Sequence, residues 1–155
     1  DLRAERHLCH LTILQLQDFD ILYFHLVFEP VEGFSLCQWN NQSPTAIDFD
    51  KSLLRDLLFN QSPAKDVALA SVSMRPIPFS PVLEKLSLSE ANHGCVRRFY
   101  IQTLEDNAIP VAVQECMINK NPPEQVFRLK GADHSPFFSK PQALHKVLVE
   151  ISKIP

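Results

Sequence analysis

Two side chains that could cooperate in catalysis lie within the stretch 96–138. Asp106 follows one predicted strand, and His134 follows the next one. If a helix crosses over between two parallel strands, both residues reach the same edge of the sheet, at the carboxyl ends of the strands. A carboxylate and an imidazole placed there are two members of a nucleophile–histidine–acid triad. The sequence therefore predicts the acid–base half of such a triad.

The elements around this pair predict a βαβ unit. Residues 96–104 and 126–129 are rich in β-branched, aromatic and other apolar residues, which is typical of strands covered on both faces. Pro110 can begin a helix, and residues 111–120 supply the predicted crossover.

The residues beside the pair have alternative interpretations. Glu105 is a second possible acid, and the local sequence does not choose between it and its neighbour. Asp133 is expected to be structural or solvated. Phe137 and Phe138 could touch a substrate, but we expect them to pack in the core.

Three more helices are predicted from patterns of caps and apolar residues. The first begins near Asp48 or Asp50. The second is opened by Ser62-Pro63, with the serine as cap and the proline in the first turn. The last begins with a capping box formed by Ser139 and Gln142.

Composition excludes several classes of function. The chain has 155 residues, 45% of them hydrophobic, with a net charge of −3 and a pI near 6.1. We therefore expect no general nucleic-acid binding, and no apolar run is long enough for a membrane span. Four scattered cysteines favour isolated thiols in a reducing compartment.

The amino-terminal part is the least regular. Residues 1–17 have helical composition, and 21–28 form an apolar run that fits a strand or a helix. His7 and His10 have no third ligand nearby, so no metal site is expected. Because the sequence starts at Asp1 without a signal-peptide pattern, we expect a fragment or a processed chain.

From about Pro44 to its end, the sequence resembles the carboxyl-terminal half of the plant methylesterase family, near hydroxynitrile lyases and polyneuridine aldehyde esterase. The blocks that carry the resemblance are SPAKDVALASVSMRP (62–76), VRRFYIQTLEDNAIP (96–110), MINKNPPEQV (117–126) and KGADHSPFFSKPQAL (130–144). This resemblance implies a partial α/β-hydrolase fold, with a helical cap region and the last parallel strands and helices of the sheet.

The resemblance also implies a division of the chain into three parts. Residues 1–43 form a poorly matched segment, 44–95 a helical cap-like region, and 96–155 the carboxyl-terminal part of the hydrolase core.

The resemblance assigns roles to two residues of this sequence. Asp106 matches the triad acid of the family and His134 its triad base, and no metal or organic cofactor is expected. The nucleophile should precede the acid in a G-x-S-x-G turn, but only Gly33 and Gly94 lie upstream, and neither starts or ends a complete motif of this kind. We therefore expect the chain on its own to be inactive.

The function implied by the family is hydrolysis of small methyl esters such as methyl jasmonate, methyl salicylate or methyl indole-acetate. Lyases of the family carry a lysine directly after the histidine, where this chain has Ser135, which disfavours lyase chemistry. The alternative is a non-catalytic truncated relative that acts at most as a binding module. An intracellular location is expected, in the cytoplasm or the chloroplast.

Overall fold

The computed structural model describes residues 34–37, 46–78, 89, 91 and 95–155. Within those ranges the chain forms short strands and helices in two sheets. In chain order the elements are β1 (Phe34–Cys37), β2 (Ala46–Phe49), α1 (Leu54–Leu57), α2 (Ala64–Ser73), β3 (Ile77–Pro78), β4 (Phe99–Thr103), α3 (Val111–Lys120), β5 (Gln125–Leu129), α4 (Pro136–Ser139) and α5 (Pro141–Ser152).

The predicted βαβ unit is present. β4 and β5 pair in parallel, with a register that runs from Phe99 opposite Gln125 to Thr103 opposite Leu129. Helix α3 connects them, because a parallel pair needs a crossover instead of a tight turn. The strand and helix predictions over 96–129 are therefore confirmed.

The predicted helix start near Asp48 or Asp50 is wrong. Residues Ala46–Phe49 form β2, which pairs antiparallel with β1 on one side and β3 on the other. The carboxylate of Asp50 instead closes a turn by accepting hydrogen bonds from the amide (2.9 Å) and hydroxyl (2.6 Å) of Ser52. The cap-like region 44–95, expected to be helical, thus contains strands as well.

The two predicted serine caps are also wrong. Pro63 is the N-cap of α2 and Lys140 the N-cap of α5, and neither helix start has a side-chain cap. The hydroxyls of Ser62 and Ser139 instead donate to the carboxylate of Asp133, at 2.8 Å each. The carboxylate of Asp133 therefore binds both hydroxyls that the local pattern assigns to helix ends.

A small hydrophobic core joins the α1–α2 hairpin to the loops after β4 and β5. Its buried members are Leu54, Leu58, Phe59 and Ala70, against which Ala108, Phe138 and other apolar residues pack. Phe138 therefore packs in the core as predicted, with its ring centroid 6.0 Å from that of Phe59. Phe137 does not, because it is 57% exposed.

The predictions for 1–17 and 21–28, and the question of His7 and His10, lie outside the described residues. In the part of the chain that the structure describes, no helix has both the length and the apolar character to cross a membrane. Within the same ranges, no group of three or more histidine, cysteine or acidic residues could hold a metal ion.

Candidate active site

The parallel pairing of the βαβ unit continues beyond the strands and fixes the two loops side by side. The amide of Leu104 donates to the carbonyl of Leu129 at 3.3 Å, and that of Glu105 to Ala132 at 3.0 Å. Asp106 comes next in the first loop, and the predicted histidine follows two residues later in the second. The backbone thus brings the acid and the imidazole to the same edge of the sheet.

Asp106 and His134 are in direct contact. The Oδ2 of Asp106 lies 3.0 Å from the Nδ1 of His134, and the side chains are 1% and 32% exposed. An ionised carboxylate only accepts hydrogen bonds, so Nδ1 is the donor in this contact, and in the neutral imidazole the lone pair then lies on Nε2. A partly exposed imidazole in this tautomer is suited to take a proton from a neighbouring hydroxyl.

The buried carboxylate of Asp106 is held by further donors. Its Oδ1 accepts from the amides of Ala108 (2.9 Å) and Ile109 (2.8 Å), and its Oδ2 accepts from the hydroxyl of Thr103 (3.1 Å). Aspartate favours such bonds to the backbone two or three residues onward, which shapes the loop locally. These donors satisfy a charge that would otherwise be costly to bury, and they fix its orientation toward the histidine.

Gln114 supports this loop from the crossover helix and is fully buried. Its Oε1 accepts from the amide of Thr103 at 3.1 Å, while its Nε2 donates to the carbonyls of Thr103 and Ile109, both at 2.8 Å. Sequence reasoning missed this residue. The available signal was a polar side chain at the centre of an otherwise apolar helix face, between Val111 and Met117.

The alternative acid has a different partner. The carboxylate of Glu105 accepts from the amide of Gly131, which has a φ of +77° in the turn after β5. The carbonyl of Glu105 accepts from the Nδ2 of Asn60 at 2.8 Å. In this structure it is Asp106, and not Glu105, that contacts the histidine.

Asp133 is structural rather than solvated, since it is fully buried and accepts hydrogen bonds from its surroundings. Ser135, on the other side of the histidine, is 5% exposed. Sequence reasoning did not anticipate that Ser62 and Ser139 would meet Asp133, and no local pattern indicates a contact over 71 residues.

Known proteins resemble this chain in sequence and in fold, although no protein-family model matches it. "Putative methylesterase 11, chloroplastic" of Arabidopsis thaliana is 78% identical over 115 residues, which are 74% of this chain and 30% of that protein. A crystal structure of an Arabidopsis methylesterase has a TM-score of 0.70 and 29% identity, covering 79% of this chain and 53% of the other. Polyneuridine aldehyde esterase shares the fold, with a TM-score of 0.71 at 23% identity over 83% of this chain and 51% of its own.

These matches and the parallel β4–α3–β5 unit define the chain as part of an α/β-hydrolase fold, as predicted. Within that class it is a relative of the plant methylesterases, homologous to their carboxyl-terminal region. The chain spans about a third of the length of the first curated relatives that it matches.

Proposed function

We propose that this chain provides the acid and the histidine of an ester hydrolase of the methylesterase type. The observation that carries the proposal is the 3.0 Å contact between the buried carboxylate of Asp106 and the partly exposed ring of His134. Support also comes from the three relatives described above, which are named methylesterases and an esterase. The region 96–155 would be the catalytic part and 44–95 the cap.

In the proposed reaction His134 acts first as a base and then as an acid. Its Nε2 takes the proton of a nucleophilic hydroxyl as that oxygen attacks the ester carbonyl, and returns the proton to the departing methoxide, which leaves as methanol. Asp106 stabilises the imidazolium formed in between. Water then repeats the cycle on the acyl-enzyme and releases the carboxylic acid. No step requires a metal or an organic cofactor.

The nucleophile is the member of the triad that these residues do not provide. The sequence contains no serine flanked by glycines in the G-x-S-x-G pattern, and that strained turn accepts little else. The same observation favours the second candidate, in which the chain is a non-catalytic relative that binds the same ligands or a protein partner. Both candidates predict that the isolated chain has no esterase activity.

The substrates that we propose are methyl esters of small, largely apolar carboxylic acids, such as methyl jasmonate, methyl salicylate or methyl indole-acetate. We propose the chloroplast as the location, since the name of a relative at 78% identity places that protein there. We expect neither nucleic acid nor a membrane as a partner.

A chimera tests the catalytic proposal. The amino-terminal portion of the 78% identical Arabidopsis relative is joined to the matching part of this chain, and hydrolysis of methyl esters is measured. We expect activity that falls by about 10²–10⁴-fold in His134→Ala, because general acid–base catalysis contributes about that much. His145→Ala is the matched control, since His145 is exposed on α5. A folded chimera that hydrolyses esters equally well with either substitution would refute the assignment of His134.

A further inference from the structure

A second buried carboxylate, Asp133, lies directly beside the histidine and has no part in the reaction proposed above. It is fully buried, and four donors reach it. Its Oδ2 accepts from the amide of Gln61 (2.9 Å) and the hydroxyl of Ser62 (2.8 Å), and its Oδ1 from the amide of Ser135 (2.9 Å) and the hydroxyl of Ser139 (2.8 Å).

These donors belong to separate segments of the chain. Gln61 and Ser62 lie between α1 and α2 in the α1–α2 hairpin, more than 70 residues away in sequence. Ser135 is the residue after the histidine, and Ser139 ends α4. The hydroxyl of Ser139 also accepts from the amide of Asp133 at 3.3 Å. A single carboxylate therefore ties the hairpin to the loop that carries the histidine.

The backbone of His134 is consequently held on both sides. The residue before it is Asp133 itself, and the residue after it donates its amide to that same carboxylate. The Nδ1 of its ring lies 3.0 Å from the Oδ2 of Asp106. The same hairpin also contacts the loop that carries Asp106, because Asn60 donates to the carbonyl of Glu105 at 2.8 Å.

We propose that Asp133 is a positioning residue, which aligns the imidazole of His134 with Asp106 and makes that alignment depend on docking of the hairpin. The inference rests on the proposed function in that the histidine is taken to be the base. It adds a fully buried residue that has no part in the proposed proton transfer, and it makes the position of the histidine depend on residues 61–62.

The substitution Asp133→Asn changes the hydrogen bonds of this residue while nearly keeping its size. An amide has nearly the size of a carboxylate, but one of its two ends is an NH₂ donor. Each carboxylate oxygen of Asp133 accepts from one backbone amide and one serine hydroxyl, so either orientation of the asparagine turns its NH₂ toward a backbone N–H. A hydroxyl can rotate and accept from the NH₂, but a backbone amide cannot. The variant must therefore lose at least one hydrogen bond while leaving the volume of the site nearly unchanged.

The test uses the full chain labelled with ¹⁵N-histidine, and NMR reads which nitrogen of His134 carries the proton. We expect the Nδ1–H tautomer in the parent and a mixture of tautomers in Asp133→Asn, because the ring no longer faces Asp106 squarely. Hydrogen exchange of the Ser135 amide should become about tenfold faster or more, because this amide loses its charged acceptor. Asp56→Asn is the control, with the same charge change at an exposed site. A folded Asp133→Asn protein with the parent tautomer would overturn the inference.

If Asp133→Asn does not fold, the variant Ser62→Ala tests whether the hairpin positions His134. Ser62→Ala removes only one hairpin donor, and Ser71→Ala is its control, because the hydroxyl of Ser71 donates within α2 to Ala68 at 2.7 Å. We expect faster exchange at Ser135 and a shifted tautomer ratio at His134 in the first variant and not in the second. Equal behaviour of the two would show that the hairpin does not position the histidine. Neither readout depends on ester hydrolysis, so failure here is distinct from failure of the chimera.

Discussion

Replacing Gln114 by leucine should strongly destabilise the chain, although the two side chains are similar in size. The substitution deprives three backbone groups of their partner: the amide of Thr103 and the carbonyls of Thr103 and Ile109. A buried polar group left without a partner costs about 1–3 kcal/mol. Taking the lower value for each group, we expect a loss of about 3 kcal/mol in the free energy of unfolding. That is a large part of the roughly 5–15 kcal/mol that stabilises a typical domain.

Urea denaturation followed by far-ultraviolet circular dichroism measures this loss, and hydrogen exchange of the Thr103 amide reports it locally. The control is Gln142→Leu, since Gln142 is exposed on α5 and should change stability by less than about 0.5 kcal/mol. If Gln114→Leu costs no more than the control, the amide of Gln114 does not support the acid loop, and the network inferred around Asp106 is wrong.

Three further results are expected. The isolated chain should hydrolyse p-nitrophenyl acetate no faster than its His134→Ala variant, because it lacks a glycine-flanked nucleophile, and a clear excess of rate in the parent would contradict this. Gly131→Ala should destabilise by about 1–2 kcal/mol in urea denaturation, because alanine is strained at the φ of +77°; an unchanged midpoint would be inconsistent with this turn. The hydrogen bond from Arg97 lowers the pKa of Glu124 from 4.5, so the pair should contribute to stability above about pH 4.5 and lose that contribution as pH falls through the lowered pKa. Glu124→Gln should remove this part of the pH dependence, and identical acid profiles for the variant and the parent would count against the pair.

The sequence was sufficient to predict the elements that carry the candidate site. Apolar composition indicated the two strands, and a proline-initiated helix between them required a parallel pair. That topology alone placed Asp106 and His134 at one edge. What it left open was the choice between Glu105 and Asp106. The choice depends on the direction in which each side chain leaves the loop, and the backbone bonds of Ala108 and Ile109 fix it.

The failures share a physical cause. Ser62 and Ser139 have the spacing of helix caps, whose oxygens would accept from the free amides at a helix end. Their hydroxyls instead donate to the buried carboxylate of Asp133, which is a strong acceptor, and water can satisfy the free amides. The local pattern around Asp48 predicts a helix because it does not include the pairing of β2 with the two neighbouring strands β1 and β3. A local pattern predicts the structure of a segment correctly when no tertiary contact uses the same polar groups. Beside the histidine, Asp133 makes such a contact with the hydroxyls of Ser62 and Ser139.

The compactness of the acid–histidine unit has a consequence for how such a site is inherited. Asp106 and His134 are 28 residues apart, and their supporting residues Thr103 and Gln114 lie in the same continuous stretch or just before it. A single stretch, 103–134, therefore contains the proposed acid–base pair and the side chains that bind the carboxylate of Asp106. The hairpin donors to Asp133 lie outside it, so in the proposed function the pair can be inherited as one segment but stays aligned only where the hairpin accompanies it.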